Sequence, residues 1–191
     1  MQPRETGGTF NFGKDAVNTR VRYFELTVWP HMRAAYNLAR WLVRNEQDAE
    51  DVVQESFLKA YKAQESFRGT ESKTWVLSIV RNTAIDFLRR LGTTAPVSLD
   101  EHHYEPEDGA PNPERILVER SRREQVRRAI SQLAPEFREV IVLREIESLS
   151  YKEIAHALGI PMGTVMSRLS RARSLLLLEL DSAKEVQHDL P

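Results

Sequence analysis

Residues 148–173 read SLSYKEIAHALGIPMGTVMSRLSRAR, and their punctuation decides the fold. Ser150 stands where a helix N-cap is wanted, with Glu153 three residues on, the spacing of a capping box. Ile154, Ala155 and Leu158 follow at helical spacing and supply an apolar face. Gly159 then offers the left-handed backbone that ends a helix. Ile160-Pro161-Met162 makes a short turn, and Gly163-Thr164 begins a second helix. Two short helices around a glycine turn are the pattern of a helix-turn-helix unit.

The second helix divides cleanly by angle. At roughly 100° per residue, Val165, Leu169, Ala172 and Leu176 fall in a stripe about 60° wide, the buried face. Thr164, Ser167, Ser170, Arg171 and Ser174 lie opposite, with Arg168 on the flank. Small hydroxyls and arginines suit a groove about 12 Å wide, where arginine grips guanine edges or phosphate. Taken alone, such a helix is as readily a solvated basic face. The matched first helix, the glycine turn and the capping box favour DNA.

Outward from this unit the chain is helical wherever it is periodic. Pro135 is placed as a first-turn proline of a helix from Glu136 to about Glu147, preceded by a helix from about Pro113 to Ala134. Residues 92–113, GTTAPVSLDEHHYEPEDGAPNP, hold four prolines, two glycines, five acids and no base, a composition that packs no helix and reads as a linker. Before it, helical patterns run from Val21 to Arg90. Pro30 kinks or resets the first of them, Asn45-Glu46-Gln47-Asp48 is an acidic helix opening, and residues 66–70 form a break. The expected fold class is all-α. Two small helical domains, 21–91 and 114–180, each with a modest core, flank an acidic linker at 92–113. Tails are expected at 1–20 and 181–191.

The 191 residues carry a net charge of −1. Counted by segment, residues 1–91 carry +3, the linker −5 and the remainder +1, so local patches rather than the total decide what the surface attracts. There is no cysteine, which excludes disulfides and thiolate metal sites. No apolar run approaches the roughly 20 residues that cross a bilayer, and no signal-peptide pattern opens the chain. A cytoplasmic protein without membrane insertion is expected. His102-His103 lack metal-site spacing, no Gly-rich phosphate loop occurs, and no catalytic constellation stands out. The expectation is no enzyme, no cofactor and no metal.

The N-terminal half offers two further surfaces. In DAEDVVQESFLKAYK, 48–62, Ala49, Val52, Val53 and Ala60 share one side of a helix, and Asp51, Gln54, Glu55 and Leu58 share the other. That outer side is either an ordinary acidic face or a docking surface with an apolar centre and polar rim. In SFRGTESKTWVLSIVRNTAIDFLRR, 66–90, Val76, Val80, Ala84 and Phe87 form a core side, while Trp75, Ser78, Asn82, Asp86 and Arg89 face away. Phe67 and Trp75 are core aromatics or stacking platforms for single-stranded bases. Arg89-Arg90 suits a helix C-terminus whatever its function.

Residues 133–176, LAPEFREVIVLREIESLSYKEIAHALGIPMGTVMSRLSRARSLL, resemble the C-terminal DNA-binding domain of bacterial sigma factors of the extracytoplasmic-function (ECF) class. The blocks at 48–62 and 66–90 resemble that family's polymerase-docking and −10-melting segments. The resemblance implies an alternative sigma factor that binds core RNA polymerase, through the β′ clamp helices and the β subunit, and directs promoter-specific transcription initiation. It implies that Asp51, Gln54, Glu55 and Leu58 dock on the polymerase. Phe67, Arg68, Trp75, Arg81, Asn82, Arg89 and Arg90 would handle −10 DNA, with Phe67 and Asn82 at the pocket for a flipped base. Thr164, Met166, Ser167, Arg168, Ser170 and Arg171 would read the −35 element. Met166 and Ser170 depart from the basic or larger residues common in the family. An anti-sigma factor is an implied partner, and the linker is implied to thread through the polymerase; as a sequence it equally fits a solvated tether. The other reading is a stand-alone helix-turn-helix regulator, which has no use for the 48–90 block.

Overall fold

The computed structural model describes residues 12–67, 69–92 and 113–188. Arg68, the linker with His102 and His103, and both chain ends lie outside the described residues. Among the described residues eight α-helices follow one another: α1 (Phe12–Thr27), α2 (Met32–Val43), α3 (Glu46–Ala63), α4 (Ser72–Arg90), α5 (Pro113–Gln132), α6 (Pro135–Ile141), α7 (Tyr151–Leu158) and α8 (Met162–His188). No strand occurs among the described residues.

The helix boundaries follow local chemistry. Pro30 sits in a 3-10 turn, Trp29–His31, which separates α1 from α2. Asn45 caps α3 by accepting the Asp48 N–H at 3.0 Å. Ser150 and Glu153 close a reciprocal capping box on α7, and Gly159 ends it at φ 65°. Two ends differ from expectation. α1 begins at Phe12, inside the stretch expected as a tail, and α8 continues to His188, past residue 180. Propagating a formed helix costs far less than nucleating one, so both helices run on into neighbouring residues of adequate propensity.

The expected helix 136–147 also differs. It stops at Ile141 and passes into a π-helical turn, Val142–Ile146. Val140, Ile141, Val142 and Leu143 are four consecutive buried residues, so the chain has no solvated face until Glu145 and Ile146, which are exposed. The buried segment lies among α2, α7 and α8. The turn closes with Leu149 N–H donating to the Leu143 carbonyl at 2.9 Å and with Ser148 in the left-handed region at φ 58°.

In the N-terminal half, α2, α3 and α4 pack on one another around Leu38, Val52, Leu77 and Val80. In the C-terminal half, α6, α7 and α8 enclose Ile141, Leu143, Ile154, Val165 and Leu169. The separate cores expected from the sequence are joined: the buried apolar residues of both halves form one cluster. α7 lies on α4, and α6 with the π-turn lies on α2. Small helical units bury a limited share of their apolar surface alone, and mutual packing covers more.

Polar groups line this junction. Lys73 Nζ donates to the Glu147 carboxylate at 3.1 Å and to its backbone oxygen at 2.7 Å, and Asn37 Nδ2 donates to the same carboxylate at 3.2 Å. Arg81 Nε pairs with Glu139 at 3.2 Å. Arg138, 6% exposed, closes the carbonyl end of α5 by donating to Ser131 and Leu133 oxygens at 2.9 and 2.7 Å, and reaches the Trp41 oxygen at 3.4 Å. Burial, with Arg44 nearby, lowers its pKa to about 10.

Candidate nucleic-acid interface

The helix-turn-helix is α7 and α8. Val165, Leu169 and Ala172 are fully or almost fully buried, and Leu176 is half-buried, as the angular division requires. Met166, Ser167, Ser170, Arg171 and Ser174 are exposed, while Thr164 and Arg168 are half-buried. Ser167 Oγ donates to the Thr164 carbonyl at 3.0 Å and Ser174 Oγ to the Ser170 carbonyl at 3.2 Å. The hydroxyls thus lie close along the helix and keep its outer surface low. Of the three arginines in 159–173, Arg173 is spent on structure. Its guanidinium donates to Glu145 at 2.8 Å, tying α8 to the π-turn, and hydrogen bonds to Glu145 and Tyr151 raise its pKa further. Arg168 and Arg171 keep the outer face cationic.

Upstream of α7, Arg144 donates to the Leu149 carbonyl at 2.8 Å and lies 5.2 Å from the Tyr151 ring centre. It sets the entry of α7 against the π-turn. Ser150 and Glu153 then fix the first turn, and hydrogen bonds from Ser150 hold the Glu153 carboxyl below the usual carboxylate range.

On α4, Val76, Leu77, Val80 and Ala84 are buried, with Phe87 half-buried. Phe67 and Trp75 stack, ring centroids 4.5 Å apart and planes inclined by 22°. Gly69 lies against the Phe67 ring: a Cβ there would stand 2.9 Å from Phe67 Cε2. The two aromatics are therefore brought together, with Gly69 as the residue that admits them. The sequence marks Gly69 as part of the break at 66–70, but its contact with the half-buried Phe67 ring emerges only from the structure. Asn82 is exposed and accepts weakly from Arg81 Nη1 at 3.5 Å.

The basic residues assigned to −10 DNA are dispersed. Arg81 is turned to Glu139. Arg89 pairs with Asp86 at 3.3 Å on the exposed surface. Arg90 bridges to Glu55 on α3 at 2.9 Å.

On α3, Ala49, Val52, Val53, Phe57 and Ala60 are buried, and Asp51, Gln54 and Leu58 are exposed. Leu58 is 57% exposed and, with Gln54, lines an apolar groove of about 610 Å³ whose other walls include Phe24, Trp29, Met32 and Phe57. Glu55 stands apart, bound to Lys59 at 2.8 Å and to Arg90; those hydrogen bonds pull its pKa below the usual carboxylate range. The groove's aromatic wall was not identified from the sequence. Trp29, 58% exposed beside Pro30, is the residue whose type and place could have marked it.

No group of His, Asp and Glu arranged to hold a metal ion occurs among the described residues. No helix among them is long and apolar enough to cross a membrane.

Comparison with known proteins accounts for both halves. Residues 28–94 match the family model for Sigma-70 region 2, and residues 123–176 match that for Sigma-70, region 4. The ECF RNA polymerase sigma factor SigE of Mycolicibacterium smegmatis is 33% identical over 172 residues, 90% of this chain and 67% of the relative. The ECF RNA polymerase sigma-E factor of Escherichia coli K12 is 41% identical over 138 residues, 68% of this chain and 72% of the relative. Among solved structures, the sigma factor RpoE in complex with the anti-sigma factor NepR from Bartonella quintana matches with a TM-score of 0.66 and 27% identity. That match covers 83% of this chain and 96% of the other. CnrH in complex with the cytosolic domain of CnrY matches at 0.58 and 28%, over 84% and 89%. With both regions matched, and with relatives aligned across most of its length, the chain belongs to the ECF RNA polymerase sigma factors.

Proposed function

We propose that this alternative sigma factor divides promoter recognition between three surfaces. The outer face of α8, with Thr164, Met166, Ser167, Arg168, Ser170 and Arg171, reads the −35 element. The Phe67–Trp75 stack, Asn82 and the basic residues of α4 capture melted −10 DNA. The Gln54–Leu58 groove, with Asp51 and Glu55 on the same helix, docks on core RNA polymerase. The observation that carries the first assignment is the division of α8: Val165, Leu169 and Ala172 are buried beneath an exposed row of Ser167, Ser170, Arg171 and Ser174.

Opening the duplex would draw on binding energy, as extruded bases are held by stacking, so no catalytic group or cofactor enters this reading. The domain boundaries at 21–91 and 114–180, the linker between them and a cytoplasmic location belong to the same proposal. An anti-sigma partner is proposed because the solved neighbours RpoE and CnrH are each in complex with another protein, in one case a named anti-sigma factor. The region 2 match at 28–94 weighs against a stand-alone regulator.

The decisive experiment is transcription by core polymerase, with and without this protein, on a promoter library. Selective transcripts sharing a −35 and a −10 sequence are expected. Transcription that is unselective, or unchanged by the protein, would refute the assignment.

A further inference from the structure

α3 has two flanks, and only one of them belongs to the groove. At roughly 100° per residue, Glu55 and Lys59 lie on the other side of Leu58 from Gln54, with Lys59 about 140° round the helix from Gln54. α3 packs on α4, and this second flank is the one that reaches it. Arg90 Nη2 donates to Glu55 Oε2 at 2.9 Å. Lys59 Nζ donates to Glu55 Oε1 at 2.8 Å and to Thr83 Oγ1 at 3.2 Å. Thr83 is only 1% exposed, so it pins the Lys59 ammonium to α4 one residue after Asn82.

The outer side of α4 leads to this cluster. By the same angular reckoning Trp75, Asn82, Asp86 and Arg90 fall in a stripe about 80° wide, which runs about 22 Å along the helix at 1.5 Å per residue. One end carries the Phe67–Trp75 stack, and the other carries Arg90 with Lys59 beside it. Asp86 is engaged by Arg89 at 3.3 Å, while Lys59, Glu55 and Arg90 together keep one positive charge.

Both cations hold donors in reserve. An ammonium has three N–H groups and a guanidinium five. Lys59 uses two of its own on Glu55 and Thr83, and Arg90 bonds Glu55 through Nη2. Their side chains are 44% and 62% exposed. Long cationic side chains lose much rotamer freedom when a ligand fixes them. A carboxylate that already holds both in place removes most of that loss, as the supporting shell of a preorganised site does.

We propose that Lys59 and Arg90, oriented by the Glu55 carboxylate, clamp one backbone phosphate of the melted −10 strand, so that Lys59 is a DNA contact and Glu55 a positioning residue. The inference rests on the −10 reading of α4 above.

The test is fluorescence anisotropy of a labelled single-stranded −10 oligonucleotide, the non-template strand of a promoter selected from the library. It is titrated with preformed holoenzyme at several salt concentrations. Lys59→Gln should weaken binding about tenfold at low salt and lower the salt slope by about 0.7. Lys59→Arg should retain both. Glu55→Gln decides the matter by the sign of its effect. A carboxylate that merely neighboured the strand would repel it, and its removal would tighten binding. A positioning carboxylate requires the reverse, binding weaker by about threefold to tenfold. In a Lys59→Gln, Arg90→Gln background nothing remains to be oriented, and Glu55→Gln should then tighten binding. Preformed holoenzyme and thermal melts of each variant separate these effects from lost docking or folding. The clamp is overturned if Lys59→Gln leaves the slope unchanged, or if Glu55→Gln tightens binding in the otherwise unaltered chain. An unaltered holoenzyme that binds the oligonucleotide no better than core polymerase alone would instead refute the −10 reading itself.

Discussion

Phe67 and Trp75 stack with ring centroids 4.5 Å apart, and Gly69 lies against the Phe67 ring. Neither ring is fully buried, so the pair is a pre-formed aromatic platform at the start of α4. An added methyl at Gly69 would enter the ring's space at 2.9 Å. Gly69→Ala is expected to displace Phe67, altering the near-ultraviolet circular dichroism of Trp75 while leaving helicity unchanged. Phe67→Ala should weaken binding of single-stranded −10 DNA by about 1–3 kcal/mol, the value of one base–aromatic stack, as measured by titration with the non-template strand. Equal affinity would remove Phe67 from the DNA-binding surface.

Leu58 is exposed on the edge of the aromatic groove and contributes little to the core. Leu58→Asp should therefore leave the melting temperature within a few degrees, surface changes being worth about ±0.5 kcal/mol. It should lower co-purification with core polymerase sharply, because a charge in the apolar centre of an interface is desolvated without a partner. Undiminished association would show that polymerase docks elsewhere.

Arg171 and Arg173 are two residues apart and are expected to behave differently. Arg171 lies on the outer face of α8, so Arg171→Ala should weaken −35 duplex binding and reduce the salt slope by about one unit if the contact is to phosphate. Arg173 is engaged with Glu145. Arg173→Ala should cost about 0.2–1 kcal/mol of stability, as exposed pairs do, and leave the slope nearly unchanged. Binding isotherms at several salt concentrations, with thermal melts, separate the two.

His31 supplies a pH dependence. Burial and the neighbouring Lys73 lower its pKa below the ordinary 6.5, and its Nε2 lies 2.9 Å from Ser72 Oγ. The unfolded chain therefore binds this proton more readily than the folded one. The stabilising contribution is complete above pH 6.5 and is lost as the pH falls through the lowered pKa. Denaturant melts between pH 7.5 and 5 should show stability falling with acidification, and His31→Gln should flatten that part of the curve.

Much of this was legible from local signals. The Ser150–Glu153 capping box, the Gly159 stop, the helix start at Asn45-Glu46 and the buried stripe of α8 depend on residues within one or two turns of each other, so a linear reading captures them. The face carrying Gln54 and Leu58 was likewise readable from helical period. The groove beside it was not, because Phe24 and Trp29 belong to a different part of the chain and reach it only by packing. Glu55 and Arg90 illustrate the same limit: each sits on a face that suits its proposed contact, yet they are bound to one another across 35 positions.

The sequence by itself determined most of the helices, the capping box and glycine stop of α7, the two-part organisation and the family, since these rest on short-range backbone satisfaction and on periodicity. Only the tertiary structure decided how the halves meet. Glu139 and Glu147 look like ordinary acids in a helical run, and Lys73 and Arg81 like ordinary bases. Their meaning comes from burial, because a carboxylate removed from water must find a cation, and that cation lies in the other half of the chain.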